Sequence, residues 1–226
     1  MTSHPRFDLL CFDWDGTLFD STAIIARSLQ QAVVEVGGAL PTLEQAAYVI
    51  GMPWMPAVAK AAPDVPPERY RDLAARYHTH YLARQHDLSL FPGVTAMLQD
   101  LRARGYRLAV ATGKSRRGLD DVLALNSGLP GLPLSALFDG SRTADQTAGK
   151  PDPRMLHELM DEFDAPSART LMIGDTTHDL QMAQNAGCAS IGVSYGAHDG
   201  GALAACAPLS IARSVDELHR WLIDHA

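Results

Sequence analysis

The sequence predicts an α/β fold built on a doubly wound parallel sheet, with a small helical insertion after the first strand. Short apolar runs, of the kind that is buried on both faces of a parallel sheet, recur along the chain. Helical patterns with recognisable ends lie between these runs, and such alternation implies right-handed crossovers. One stretch near the N-terminus has helical patterns and no convincing strand. That stretch predicts the insertion.

The predicted strands are short apolar segments. They cover residues 7–12, 106–111, 170–173 and 189–193. The first ends at an Asp-Trp-Asp-Gly tetrapeptide and the third at Gly-Asp, so polar residues follow directly on buried strands. Each segment is too short for a typical helix, which favours the strand assignment.

Helices are predicted between and after these strands. Apolar residues at helical spacing cover 94–104 and 179–186, and a glycine follows each pattern, as is common at helix ends. A helix over 115–125 has Ser115 as its cap, and another opens at Asp152 or Pro153 and runs toward Phe163. Ser214 precedes the last helix, over residues 215–225.

The insertion covers residues 21–90. Helical patterns occupy 21–36, 42–50 and 66–85, and prolines and glycines separate them. We therefore divide the chain into a core, residues 1–20 plus 91–226, and an inserted helical domain, residues 21–90.

Composition excludes several classes of protein. In 226 residues, 46% are apolar and 20% are charged, which fits an ordinary folded protein and argues against disorder. The net charge of -7 disfavours a nucleic-acid surface, which needs a basic face. No segment approaches the roughly 20 apolar residues of a membrane span. The first residues lack the apolar core of a secretory signal, so we expect a cytoplasmic protein.

The three cysteines, Cys11, Cys188 and Cys206, show no paired spacing. Cys11 lies in an apolar run, and the set is odd in number, so buried thiols are the favoured interpretation. Neither a disulfide framework nor a cysteine zinc site fits this pattern.

Residues suited to phosphoryl transfer follow several predicted strands, where ligands bind in open α/β sheets. They are Asp13, Asp15 and Thr17; Thr112, Gly113 and Lys114; Lys150; and Asp175 and Asp179. Carboxylates and substrate phosphate are the ligands that Mg²⁺ prefers. Phosphoryl transfer needs mainly positioning and cancellation of charge, and a carboxylate can accept the phosphoryl group covalently.

The first acidic pair has a favourable geometry in extended backbone. Alternation places Asp13 and Asp15 on one side with Trp14 on the other, and Gly16 permits a sharp turn after them. A second carboxyl group close to a nucleophile can act first as general acid and then as general base. A lysine near Asp13 would keep it ionised.

These motifs together resemble the haloacid dehalogenase superfamily. Residues 13–18 (Asp-Trp-Asp-Gly-Thr-Leu), Thr112, Lys150 before prolines, and Asp175 with Asp179 occur in the superfamily's order and span nearly the whole chain. The insertion matches that superfamily's helical cap, which closes over the site. The sequences around Thr112 and Lys150 look most like the phosphoglycolate phosphatase branch.

The resemblance implies a role for each matching residue. Asp13 matches the nucleophile and a magnesium ligand. Asp15 matches the general acid and base, and a magnesium ligand through its main-chain carbonyl. Thr112 and the Gly113 amide match the groups that hold the phosphoryl group, and Lys150 matches the charge-balancing lysine in contact with it.

The resemblance also implies the remaining ligands and the partners. Asp175 matches a carboxylate on magnesium, and Asp179 matches a second acidic position that ligates or orients. Gly51 and Trp54 in the cap are candidates for substrate contact. We expect a small phosphate ester as substrate, phosphoglycolate first, with Mg²⁺ as cofactor, no nucleic acid or membrane partner, and a monomer or homodimer.

Other interpretations remain open at this stage. Each motif alone is often a plain turn, Asp175 could be a helix cap, and Gly51–Trp54 could be a packed turn. A sugar-phosphate mutase shares the first chemical steps. A phosphorylation-controlled receiver domain combines similar residues, although such domains are shorter and lack the insertion. No Gly-x-Gly-x-x-Gly follows a strand, which disfavours a dinucleotide-binding enzyme.

Overall fold

The computed structural model describes residues 6–124, 126–129 and 132–226. The strands are β1 (Leu9–Phe12), β2 (Arg107–Thr112), β3 (Asn126–Leu129), β4 (Leu132–Pro133), β5 (Gly140–Thr143), β6 (Thr170–Gly174), β7 (Ala189–Val193) and β8 (Ser210–Ala212). Six of them form one parallel sheet in the order β5-β2-β1-β6-β7-β8. The other two, β3 and β4, form a separate antiparallel pair.

Helices cover both faces of the sheet and fill the insertion. They are α1 (Thr22–Glu35), α2 (Leu43–Tyr48), α3 (Trp54–Ala61), α4 (Tyr70–Leu82), α5 (Val94–Ala103), α6 (Arg116–Leu123), α7 (Arg154–Glu162), α8 (Thr177–Ala186), α9 (Gly200–Ala204) and α10 (Val215–His225). The α5, α8 and α10 helices lie within two residues of their predicted bounds. The predicted end of α6 at Leu125 lies outside the described residues, as do residues 1–5.

The alternation of side chains along β1 builds two cores. Leu10 and Phe12 point to one face, where they join a cluster that includes residues of α5 and α10. Leu9 and Cys11 point to the other face, where residues of α7 and α8 cover them. Because β1 is central and buried on both faces, its sequence is apolar throughout. The predicted doubly wound α/β fold is confirmed.

The inserted helices, α1–α4, pack mainly on one another. Their buried apolar residues form a cluster of their own that spans residues 26–73. The closest pairings are α1 with α4 and α1 with α2. The division at residues 20/21 and 90/91 stays a proposal, and this separate cluster supports it.

Several elements were not predicted from the sequence, namely β3, β4, β5, β8, α3 and α9. The edge strands β5 and β8 were not predicted, because β5 (Gly-Ser-Arg-Thr) is polar and half-buried and β8 has only three residues. The α3 helix was not predicted, because several prolines, Pro56 among them, separate the helical patterns of the insertion. Pro56 lies in the first turn, where the missing N–H has no partner within the helix in any case.

None of the helices among the described residues is long and apolar enough to cross a membrane. The three cysteines are free. Cys11 and Cys206 are buried as predicted, whereas Cys188 is half-buried.

Candidate active site

Three neighbouring strands carry polar residues to one edge of the sheet. Because β2, β1 and β6 are adjacent and parallel, Thr112, Asp13 and Asp175 meet at their carboxyl ends. The Asp13 amide still belongs to the sheet and donates to the carbonyl of Ile173 at 2.9 Å. All three side chains are buried. The fold alone therefore brings a hydroxyl and two carboxylates together.

The side chains of Asp13 and Asp15 point away from the side chain of Trp14. The Trp14 ring is fully buried in the core, 5.5 Å from the ring of Phe19. The Asp15 carboxylate accepts a hydrogen bond from Ser21 Oγ at 2.6 Å and pairs with Lys114 Nζ at 3.0 Å. Each acid thus has its own surroundings, which suits two different chemical roles.

Lys150 is the central cation of the site. Its side chain is fully buried, and Nζ forms ion pairs with Asp13 and with Asp179 Oδ1, the latter at 2.6 Å. Burial alone would lower the pKa of Lys150, but the charges of Asp13 and Asp179 outweigh it and raise the pKa above its usual value. The lysine is therefore held as an ammonium beside Asp13.

The other two carboxylates are fixed by hydrogen bonds. Asp175 accepts from Thr17 Oγ1 at 3.0 Å and from the Ala197 amide at 2.7 Å. Asp179 forms a capping box at the start of α8, with its Oδ2 accepting from the Thr176 hydroxyl at 2.7 Å. The other oxygen of Asp179 pairs with Lys150. Asp179 therefore both caps α8 and orients the lysine.

The negative charge of the carboxylate cluster favours binding of a cation. Oxygen atoms of Asp13, Asp175 and Asp179 lie within 4.8 Å of one another, and all three residues are buried. Burial, with the neighbouring carboxylates, raises the pKa of Asp13 to about 7 despite Lys150, and raises that of Asp175 well above its usual value. A bound divalent cation would supply the missing positive charge, and an all-oxygen donor set suits a hard cation.

A loop of the insertion touches the site. A methyl group at Gly113 would lie 3.0 Å from the carbonyl oxygen of Gly51, and one at Gly149 would lie 2.2 Å from Pro53 Cγ. Gly51 itself faces Thr176. The predicted substrate-contact residue Gly51 therefore lies against the phosphoryl-binding candidate Gly113.

Trp54 occupies a different position from Gly51. Its ring is half-buried among the inserted helices, 5.3 Å from the ring of Tyr77. The arginines of α4 and of its flanking residues form surface ion pairs and hydrogen bonds. Arg76 pairs with Glu35, and Arg84 donates a hydrogen bond to Gln31. These arginines form a solvated face.

Sequence reasoning missed two sets of residues. Lys114 was named with Thr112 and Gly113 as suited to phosphoryl transfer, but its contact with Asp15 was not predicted. The second set joins the insertion to the core: Nε2 atoms of His178 and His198 lie 3.1 and 3.0 Å from the Tyr48 carbonyl oxygen. Tyr48 and His198 are 150 residues apart, so no local pattern indicates this contact.

We expect Gly16→Ala to lower the free energy of unfolding by about 2–5 kcal/mol, the sum of left-handed strain and overpacking. Gly16 has φ +84°, and an added methyl group would lie 2.1 Å from Asp175 Oδ2. Gly105→Ala is the matched control, since Gly105 has φ +92° and nothing within 4 Å of the added methyl group. Urea unfolding measures both. Equal losses would contradict the crowding against Asp175.

Several known proteins are similar to this chain. A family model described as haloacid dehalogenase-like hydrolase matches residues 10–193. A phosphoglycolate phosphatase of Aliivibrio fischeri is 34% identical over 201 residues, 85% of this chain and 86% of the relative. One of Vibrio parahaemolyticus is 30% identical and covers 93% of both chains. A solved structure of a predicted phosphoglycolate phosphatase from Haemophilus somnus superposes with a TM-score of 0.81 at 24% identity, over 96% of this chain and 99% of that one. At this identity, the similarity to the solved structure shows the fold alone.

Proposed function

The chain belongs to the haloacid dehalogenase-like hydrolase family, and from this premise we propose that it is a magnesium-dependent phosphatase acting through Asp13. The substrate is a small phosphate monoester, phosphoglycolate or a close relative. The observation that carries the proposal is the buried contact of Asp13 with Lys150, beside Asp175 and Asp179. A carboxylate paired with an ammonium, next to a site where a cation would lower its raised pKa, is a competent nucleophile toward a phosphate ester.

In the first step a carboxylate oxygen of Asp13 attacks phosphorus, and the bond to the leaving oxygen breaks. Asp15 gives that oxygen its proton, so the alcohol leaves neutral and an aspartyl-phosphate remains on Asp13. In the second step Asp15 takes a proton from water, the water oxygen attacks phosphorus, and phosphate leaves. Asp13 is then regenerated as a carboxylate and Asp15 as an acid.

Other groups position the phosphoryl group and balance its charge. The Thr112 hydroxyl and the Gly113 amide hold its oxygens, and Lys150 offsets the repulsion between Asp13 and the anionic ester. Asp13, Asp175 and the main-chain carbonyl of Asp15 would hold Mg²⁺, with Asp179 as orienting or ligating acid. The ion supplies cancellation of charge on the transferred group.

The inserted loop limits the size of the substrate that the site can accept. The Gly51 carbonyl approaches Gly113 and Pro53 approaches Gly149, so the space over the acids is restricted. A small organic-acid or sugar phosphate fits such a site better than a polymer. The two relatives described above carry the name phosphoglycolate phosphatase, which makes phosphoglycolate the first compound to test.

The experiment is a phosphate-release screen over small monoesters with and without Mg²⁺. We expect chelation of the metal to lower the rate by at least about a thousandfold, because several kcal/mol of charge stabilisation are lost. Adding Mg²⁺ back should restore the rate. Full activity in excess chelator would contradict the metal assignment, and a sugar bisphosphate formed in place of free phosphate would indicate a mutase.

A further inference from the structure

Two buried histidines of the core bind one carbonyl group of the insertion. His178 lies in the first turn of α8, and His198 follows β7. Their Nε2 atoms lie 3.1 and 3.0 Å from the carbonyl oxygen of Tyr48, the last residue of α2. A carbonyl oxygen can only accept, and it has two lone pairs. Both rings therefore donate their Nε2–H to it.

The core fixes the orientation of the His198 ring. Nδ1 of His198 accepts a hydrogen bond from the Thr177 amide at 3.0 Å. Because an amide can only donate, Nδ1 carries no proton, which places the ring proton on Nε2. The amide of His198 donates to the Asp175 carbonyl at 3.2 Å. The backbone and the ring are thus both held by the core, and the ring presents a donor to the insertion.

The Tyr48 ring adds packing to this contact. It stacks on the His198 ring with centroids 4.9 Å apart and meets the His178 ring edge-on at 5.5 Å. The ammonium of Lys60, in α3, lies 4.1 Å from the centre of the Tyr48 ring. Ring pairs and a cation over a ring in these arrangements are favourable. The contact therefore joins two inserted helices to the core at one place.

The loop that begins after Tyr48 reaches the candidate site and joins α2 to α3. Three residues span at most about 10 Å of backbone, so fixing the Tyr48 carbonyl limits where Gly51 can lie. A methyl group at Gly113 would lie 3.0 Å from the Gly51 carbonyl oxygen, and Pro53 packs on Gly149. The loop is thus held at both ends, by the histidines at its start and by Gly149 at its end.

We propose that His198 is a positioning residue that holds the loop from Tyr48 to Pro53 over Gly113, and that substrate binding depends on this bond. The inference rests on the proposed function and adds a residue from outside the acid cluster. The Asp175 carboxylate accepts from the Ala197 amide at 2.7 Å and not from the His198 ring. A change of that ring therefore leaves this bond to Asp175 in place.

Two substitutions separate the two bonds of the His198 ring. The shorter side chain of His198→Asn can still accept from the Thr177 amide but is too short to reach Tyr48. The longer side chain of His198→Gln carries an amide nitrogen at the position of Nε2 and can donate to Tyr48. With phosphoglycolate and Mg²⁺ we expect His198→Asn to lower kcat/KM by about 2–10-fold through a higher KM, the value of one hydrogen bond. His198→Gln should recover most of this loss.

The matched control is His219→Asn. His219 is a half-buried histidine of α10 whose Nε2 lies 3.0 Å from Asp100 Oδ2, within the core. This variant loses a bond of the same length and should keep the wild-type kcat/KM. The Mg²⁺ concentration for half-maximal activity should stay the same in all three variants, because the Ala197 amide still bonds to Asp175.

Hydrogen exchange of the full chain, measured by mass spectrometry, follows the loop without any turnover. Peptides that cover residues 48–54 should exchange faster in His198→Asn than in the wild type, since the loop has lost one of its attachments. The exchange in His198→Gln should be close to that of the wild type. Unchanged exchange or an unchanged KM in His198→Asn would overturn the inference.

Three further outcomes are decisive. A greater loss in His198→Gln than in His198→Asn would overturn the inference, because the bond to Thr177 would then be the important one. A raised Mg²⁺ requirement in His198→Asn would overturn it as well. If both variants fail to fold by circular dichroism, nitrogen NMR of the wild-type imidazoles decides, and a proton on Nδ1 of His198 contradicts the bond to Tyr48. Faster exchange of the loop in His198→Asn, with no phosphate released by the wild type from any small monoester, would support the loop contact and contradict the proposed function.

Discussion

Replacing Asp13 with asparagine is expected to lower kcat for small phosphate monoesters by at least about 10⁴-fold, because the amide cannot accept the phosphoryl group. The substitution keeps the volume of the side chain. Lys150 retains its ion pair with Asp179 at 2.6 Å, so the fold should persist. Phosphate release under saturating substrate and Mg²⁺ measures the effect.

The control for this variant is Asp20→Asn. Asp20 lies in the same segment but is exposed and outside the acid cluster. We expect it to retain wild-type activity. Loss of activity in both variants would mean that the segment, and not the Asp13 carboxylate, is responsible. Residual activity in Asp13→Asn above a few per cent of wild type would contradict the role of nucleophile.

Asp15→Asn is expected to have the second-largest effect, and one that depends on the leaving group. For an alkyl ester, loss of the general acid should slow the first step by about 10²–10⁴-fold. An aryl phosphate with an acidic phenol needs little protonation, so its first step should be nearly unaffected. The second step also lacks its base, so the variant should release a burst of phenol matching the amount of enzyme and then stall.

Burst kinetics with an aryl and an alkyl phosphate measure this difference. The variant keeps a polar group of the same size beside Ser21 and Lys114, so substrate binding should be intact. Near-normal turnover of the alkyl ester would contradict the acid–base role. Equal slowing of both esters in the first step would point to misplacement of the substrate.

The sequence was most informative for elements whose local residue pattern matches their position in the fold. The apolar run at 7–12 is followed by Asp13, which predicts a buried strand with an acid at its end, and β1 has that form. The polar edge strand β5 carries no such signal, because its edge position leaves it half-buried. The α3 helix was not predicted although it contains Pro56, since proline is tolerated within the first turn of a helix.

The residues of the candidate site also fall into a group that the sequence predicted and a group that it missed. Asp13, Thr112, Lys150, Asp175 and Asp179 come together as their place at strand ends and in loops predicts. Their roles in catalysis stay predictions. Lys114 and the Tyr48 contacts were missed because each depends on a residue from a distant part of the chain: Tyr81, 33 residues before Lys114, and His178, 130 residues after Tyr48. Only the packing of the insertion on the core brings them together.

The covalent step is the central claim, and Asp15→Asn gives the most direct test of it. The variant is mixed with an aryl phosphate and Mg²⁺, quenched in acid during the burst, digested and analysed by mass spectrometry. We predict one phosphoryl group on the peptide that contains Asp13, and none when Asp13 is also replaced by asparagine. Release of the phenol with an unmodified Asp13 peptide, or a phosphoryl group on a different residue, would contradict the account.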